Sequence, residues 1–219
     1  MHTSSKFNVV ENADEILYEL DRIDNWKIFK RNNSSFLETY QWKSKPIADL
    51  ISHYRSSSFI SKLEKITNTN SLLIDPRGVG EGISCMREGD LMDPHIDFNW
   101  NDSCKLSRKL NVLIYFSKNC EGGELQFFNE SRSNVIFRHT PKNNSCIIFE
   151  HSEKNAHGVT KITNGIRYAF RLFYYQDLGV EQNPHQSLYW FENGKSFNPK
   201  KHMKTNSQDY GRERLLQTS

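Results

Sequence analysis

Over the first 70 residues the apolar positions recur at helical spacing. Ile16, Leu17, Leu20 and Ile23 follow Asn12 and Glu15, which stand as a capping box would, and Ile47, Leu50, Ile51 and Tyr54 follow Pro46. Phe59, Ile60, Leu63 and Ile66 form a third set. From about residue 72 the texture changes to short β-type runs separated by Gly, Asn, Pro and Ser, at 72–74, 82–87, 91–98, 110–116, 124–128, 135–137, 146–149, 156–159 and 168–175. Eight or nine short strands after a helical lead predict a β-sandwich or barrel buttressed by helices. Beyond residue 176 the pattern thins, with Asn183 and Pro184, Asn193 and Gly194, and Asn198 and Pro199 as turn punctuation. Tyr189, Trp190 and Phe191 are expected to fold back onto the core. The reading is one domain: a helical part over 1–70, a β core over 71–192 and a basic tail over 193–219.

Charge and composition narrow the function classes. The longest uninterrupted apolar run, 112–116, falls far short of the ~18 residues of a membrane-spanning helix. The first residues show neither a basic nor an apolar leader region, so a cytoplasmic protein with no membrane partner is expected. The net charge is +3, but residues 195–214 carry +4 and the rest of the chain −1. A near-neutral body with a basic end does not read as a nucleic-acid-binding face, and no nucleic-acid partner is expected. Cysteines at 85, 104, 120 and 146 show no C-x-x-C pair and are expected as reduced thiols.

The chemistry concentrates in the β region. His95 and Asp97 lie on one run, and the two-residue period of a strand puts both on the same face, where an imidazole and a carboxylate can converge on one cation. His157 follows sixty residues later on another β-type run, enough chain to wind around a barrel and return. Two His and one carboxylate form the facial triad of non-haem Fe(II) oxygenases, with coordination positions left open. Arg167 comes ten residues further on, at the start of the last strand. A guanidinium inside a barrel needs an anionic partner, and a dicarboxylate whose other end chelates the metal supplies one. That favours iron over zinc. His139 and His151 read as surface residues, and Arg171 and Phe173 share the face of Arg167, so Arg171 is either an anchor for an anionic substrate or an alternative partner for the dicarboxylate.

Residues 86–97, MREGDLMDPHID, resemble the Y-x-x-G-x-x-Y-x-x-H-x-D segment of prolyl 4-hydroxylase-type, 2-oxoglutarate- and Fe(II)-dependent dioxygenases. Gly89, Pro94, His95 and Asp97 match, while Met86 and Met92 stand where that pattern has Tyr. The likeness continues through 112–117 (VLIYFS), 121–125 (EGGEL), 156–158 (AHG) and 167–170 (RYAF). It is closer still to bacterial proteins carrying H-x-D-F-N and then R-[RK]-L-N-x-L-I-Y, here 95–99 and 108–115, and it spans about 78–192.

The resemblance implies a mainly β fold with α elements: a double-stranded β-helix, or jelly roll, buttressed by the N-terminal helices. It implies iron on His95, Asp97 and His157, and 2-oxoglutarate chelating that iron while its C5 carboxylate meets Arg167, with a hydrogen bond from Tyr115. No catalytic residue beyond the metal ligands is implied. The cofactors are Fe(II), 2-oxoglutarate and O2, with ascorbate as a candidate reductant. The implied reaction is hydroxylation of an unactivated C–H bond, with 2-oxoglutarate decarboxylated to succinate and CO2; an intact Asp97 favours hydroxylation over halogenation. The Met86 and Met92 departures imply a drier, softer pocket. The substrate class stays open between a prolyl residue in a peptide, a glycan and another small molecule, and the oligomeric state is not specified. A jelly-roll binding module without catalysis and a zinc hydrolase using the same three ligands are the alternatives. Segments 99–107 and 68–80 are the expected rim of the site.

Overall fold

The computed structural model describes residues 10–189 except 32, 155, 180 and 182. In chain order the elements are α1 (Ala13–Asp21), β1 (Lys27–Arg31), β2 (Ser34–Thr39), α2 (Lys45–Tyr54), α3 (Ser57–Thr67), β3 (Gly82–Arg87), β4 (Met92–Ile96), β5 (Trp100–Asn101), β6 (Leu106–Gly122), β7 (Leu125–Phe128), β8 (Val135–His139), β9 (Ser145–Glu150), β10 (His157–Val159), β11 (Ile162–Gln176) and β12 (Leu188–Tyr189). One sheet runs β1-β2-β3-β11-β6-β5, with β9 also paired to β6; the other runs β12-β4-β10-β7-β8. Met86, Tyr115, Phe149 and Ala169 of the first sheet share one buried cluster with Leu125, Phe127 and Val159 of the second, so the inner faces close on each other as in a jelly roll.

Strand alternation divides the long strands into two jobs. On β11, Tyr168, Phe170, Leu172 and Tyr174 face outward into a core shared with Val112, Ile114 and Phe116 of β6. The helices cap that face with Ile16, Leu20, Ile47 and Leu63, each at most 1% exposed and each worth about 1.5–3 kcal/mol of burial. The alternate residues Arg167, Ala169, Arg171 and Phe173 line the cavity between the sheets. The helical lead therefore supports the outer face of the sheet whose inner face carries the arginines.

Three details differ from the expectations. Residues 27–39 form the β1–β2 hairpin rather than a helix or its linker, adding two strands beside β3. Phe29 and Phe36 stack at 4.5 Å, and the turn is held by buried Asp93, whose carboxylate accepts from the Asn33 and Ser34 amides at 2.9 and 3.1 Å. The run at 72–74 forms no strand, only the bridge between Leu73 and Tyr175. Asn12 precedes α1, but its side chain bonds the Glu15 carboxylate at 2.8 Å instead of capping the helix backbone. All four cysteines are free thiols, with Cys85 and Cys146 buried. Among the described residues no helix is long and apolar enough to cross a membrane. Trp190, Phe191 and the basic tail lie outside the described residues.

Gly158 shows how tightly the short strands meet. A Cβ there would sit 2.9 Å from the Met92 carbonyl oxygen and 3.0 Å from the Pro94 nitrogen, both backbone atoms that cannot step aside. Gly158→Ala is expected to cost about 1–3 kcal/mol as overpacking. Thermal unfolding should show a midpoint lower by roughly 2–10 °C.

Candidate metal centre

The register of β4 and β10 builds the centre. His95 and His157 are direct antiparallel partners, which sets their rings side by side with centroids 4.4 Å apart. Asp97 lies just past the end of β4 on the same face as His95, its oxygens 3.6 Å from His95 Nε2 and 3.5 Å from His157 Nε2. The three side chains thus offer two imidazole nitrogens and a carboxylate oxygen within 4.8 Å of one another. His95 Nδ1 sits 3.0 Å from the Asp93 carbonyl oxygen. That bond keeps the ring proton on Nδ1 and leaves the Nε2 lone pair for a metal. Asp93, which also pins the β1–β2 hairpin, is therefore a positioning residue that the sequence does not announce.

Asp97 is held from behind by Arg108, with Nη2 3.0 Å from Oδ2. Arg108 is itself 5% exposed, bonded through Nε to Asn111 Oδ1 at 2.7 Å and stacked over the Phe173 ring at 3.5 Å. Burial alone would raise the Asp97 carboxyl. Arg108 and the two imidazoles overcome that and hold it well below the usual carboxylate range, so it stands ionised as a ligand must.

The cavity in front of these groups is walled by Met86, Met92, Leu125 and Phe149, and three arginines reach it: Arg108, Arg167 and Arg171. Their partners differ. Arg108 pairs with Asp97, and Arg171 Nη2 lies 3.0 Å from Glu38 Oε2 on β2. Arg167, only 3% exposed, has no carboxylate at ion-pair distance among the described residues. Its Nη1 donates to Met86 Sδ at 3.2 Å, its guanidinium lies 4.6 Å from the centre of the Tyr115 ring, and its Nε is buried without a hydrogen-bond partner among the described residues.

Tyr115 is fully buried, and among the described residues its hydroxyl makes no hydrogen bond of normal geometry; burial pushes its pKa up against the pull of Arg167. His139, expected on the surface, is buried against the Tyr115 ring at 5.5 Å, and burial together with Arg167 pushes its pKa down. Three buried polar atoms of one neighbourhood, Arg167 Nε, Tyr115 Oη and His139 Nε2, thus find no hydrogen bond of normal geometry among the described residues. A bound anion fits a cationic, donor-bearing pocket of this kind. Met86, in the place where the resembling pattern has Tyr, touches the arginine itself.

The rim differs in part from the expectation. Gly80 and Phe98 line the cavity on one side and Ser187 and Tyr189 on the other, with the Tyr189 ring stacked on His95 at 4.9 Å. Asn99, from the segment expected on the rim, instead holds the 183–189 strap from behind, accepting from the His185 amide at 2.9 Å. His151, the other histidine expected on the surface, is 8% exposed at its side chain.

The fold thus brings two imidazoles and one carboxylate, a donor set suited to a divalent metal with open coordination positions, to the edge of a cavity whose Arg167 meets no carboxylate among the described residues. The comparisons place it further. Residues 82–175 match the sequence model of the 2OG-Fe(II) oxygenase superfamily.

Solved structures with the same fold include a prolyl hydroxylase from Trichoplax adhaerens in complex with a hypoxia inducible factor oxygen degradation domain peptide fragment. It is 19% identical, with a TM-score of 0.59 over 80% of this chain and 84% of that one. A prolyl-4-hydroxylase from Pseudomonas putida is 15% identical, with a TM-score of 0.55 over 80% and 92%. The viral collagen prolyl hydroxylase of Paramecium Bursaria Chlorella virus-1, solved with 2OG, is 11% identical, with a TM-score of 0.56 over 80% and 97%. No match emerges among curated protein sequences. The superfamily implies Fe(II), 2-oxoglutarate and O2, and the His95, Asp97 and His157 group suits that metal.

Proposed function

We propose that the protein hydroxylates a substrate C–H bond, with Fe(II) held by His95, Asp97 and His157 and with the C5 carboxylate of 2-oxoglutarate held by Arg167. The observation that carries this reading is the inequality among the three cavity arginines: Arg108 and Arg171 are matched by Asp97 and Glu38, and Arg167 is matched by no carboxylate among the described residues. When bound, Fe(II) supplies O2 activation, in which one oxygen atom enters succinate as 2-oxoglutarate loses CO2 and the other enters the substrate as a hydroxyl.

The chain's own residues orient and shield. Asp93 fixes the tautomer of His95, and Arg108 fixes Asp97. Tyr115 and Arg167 offer donors to the far carboxylate. Met86, Met92, Leu125 and Phe149 keep the cavity wall apolar, which strengthens those charge-assisted bonds by excluding water. Arg108→Leu keeps much of the packing against Phe173 and removes the guanidinium from Asp97. It is expected to weaken Fe(II) affinity about 10–100-fold, the usual cost of losing an outer-shell partner, as read by anaerobic titration.

A prolyl residue in a peptide heads the substrate classes, because the similar structures include a prolyl hydroxylase bound to a peptide and a collagen prolyl hydroxylase. The experiment is a panel of prolyl peptides, glycans and small metabolites, scored for substrate-stimulated succinate release and for the mass gain of one oxygen atom. Stimulation by a panel member with that gain supports the reading. Folded, Fe(II)-loaded protein that forms no succinate above the metal-free background, with or without substrate, overturns it.

A further inference from the structure

A second group of metal-ligating side chains lies outside the site described above, where the β9–β10 loop meets the strap over 183–189. His185 Nε2 is 2.7 Å and His151 Nε2 is 3.8 Å from the same Glu153 oxygen, and the three ligand atoms lie within 4.8 Å of one another. The side chains of His151 and His185 are more than nine-tenths buried, whereas Glu153 is half-exposed and open to solvent on one side. Among the described residues His151 Nε2 is buried with no hydrogen-bond partner at normal distance, although it faces the Glu153 carboxylate at 3.8 Å. An imidazole nitrogen placed this way is costly for an ordinary core histidine and is what a metal ligand requires. His185 has its other ring nitrogen, Nδ1, 2.8 Å from the Gln186 carbonyl oxygen, the second bond that orients a ligating histidine.

The cluster sits at a joint. His151, Glu153 and the loop that carries them lead directly into β10 and His157. On the other side, the His185 amide donates to Asn99 Oδ1 at 2.9 Å, Ser187 Oγ accepts from the Phe98 amide at 3.2 Å, and β12 pairs with β4 so that Tyr189 lies opposite His95. A link between His185 and the 151–153 turn therefore ties the cover of His95 to the segment that delivers His157.

We propose that His151, Glu153 and His185 bind a second divalent transition-metal ion, best suited to Zn(II), which locks the strap over 183–189 onto the loop preceding His157. Two imidazoles and one carboxylate with an open solvent side match a zinc ion bound by three side chains and water. In the metal-free protein the contacts of both His185 nitrogens with acceptors require an imidazolium. Zn(II) replaces the Nε2 proton, so each ion bound to this cluster releases a proton while no group changes oxidation state. The opening needed is small, since ligand atoms around a tetrahedral ion at about 2.0–2.2 Å stand roughly 3.3–3.5 Å apart.

The test is equilibrium dialysis of the full chain against buffered micromolar Zn(II), with metal analysis. Zn(II) also enters the His95, Asp97 and His157 group, so the wild type is expected to hold two ions. The Asp97→Ala, His157→Ala double variant and the Glu153→Gln, His185→Gln double variant are each expected to hold one, and the four-fold variant none. The ion retained in each double variant reports that the variant is folded. In the Asp97→Ala, His157→Ala variant, Zn(II) should also raise the thermal midpoint and slow proteolysis within 183–189, and both effects should vanish on adding Glu153→Gln and His185→Gln. A count unmoved by Glu153→Gln and His185→Gln, or binding at this cluster weaker than micromolar, overturns the proposal. None of these outcomes depends on the oxygenase reading, whose failure shows in succinate formation.

Discussion

Replacing His157 by alanine is expected to lower Fe(II)- and 2-oxoglutarate-dependent succinate formation by more than about 100-fold, since loss of a mere outer-shell partner already costs about 10–100-fold. His157 opens β10, a three-residue strand hydrogen-bonded to β4 on one side and β7 on the other. The group left after the substitution is His95 and Asp97, two ligands on one strand segment. The variant loses packing against Phe127 and Phe149 as well, with ring centroids at 5.5 and 5.1 Å. His157→Gln, which keeps more of that volume, separates the two effects. Both variants should lose activity, while far-UV circular dichroism and the thermal midpoint should suffer less in the glutamine form.

Arg167→Ala should act on 2-oxoglutarate rather than on the metal. Truncating one partner of a buried, hydrogen-bonded charge pair costs about 2–5 kcal/mol, which is roughly 30-fold to more than 1,000-fold in affinity. The KM for 2-oxoglutarate should rise by that factor, with Fe(II) affinity in the absence of 2-oxoglutarate changed little. Arg171→Ala is the matched control. Its guanidinium already faces Glu38, so its loss should leave the 2-oxoglutarate KM within a few-fold of the wild type. Equal effects of the two substitutions would contradict the assignment of the C5 carboxylate to Arg167.

The parts of this protein that could be read in advance are those whose geometry follows from local period. His95 and Asp97 share a face because a strand alternates, and Arg167 looks inward because Tyr168, Phe170, Leu172 and Tyr174 must look outward. The β1–β2 hairpin escaped that logic. Its first strand is mostly exposed and its residues do not alternate cleanly between apolar and polar, so it is defined by pairing with β3 and by the Phe29–Phe36 stack.

The residues that hold the centre in place were hidden for a related reason. Asp93 reaches Ser34 and Asn33 about sixty positions away, Arg108 reaches Asp97 across a loop, and Glu38 meets Arg171 from the far end of the chain. Nothing in their immediate neighbours marks them, because each acts through a contact that exists only once the sheets close. His139 and His151 show the same effect in reverse: polar neighbours suggested the surface, and tertiary packing buried both.

The central claim is that His95, Asp97 and His157 hold iron in front of a 2-oxoglutarate anchored at Arg167. Its most direct test is the anaerobic visible spectrum of purified protein loaded with Fe(II), recorded before and after adding 2-oxoglutarate. A weak metal-to-ligand charge-transfer band should appear with the wild type, be absent from the Asp97→Ala, His157→Ala variant, and require much higher 2-oxoglutarate in Arg167→Ala. No band with the wild type, or the same band in the variant lacking Asp97 and His157, would contradict the account.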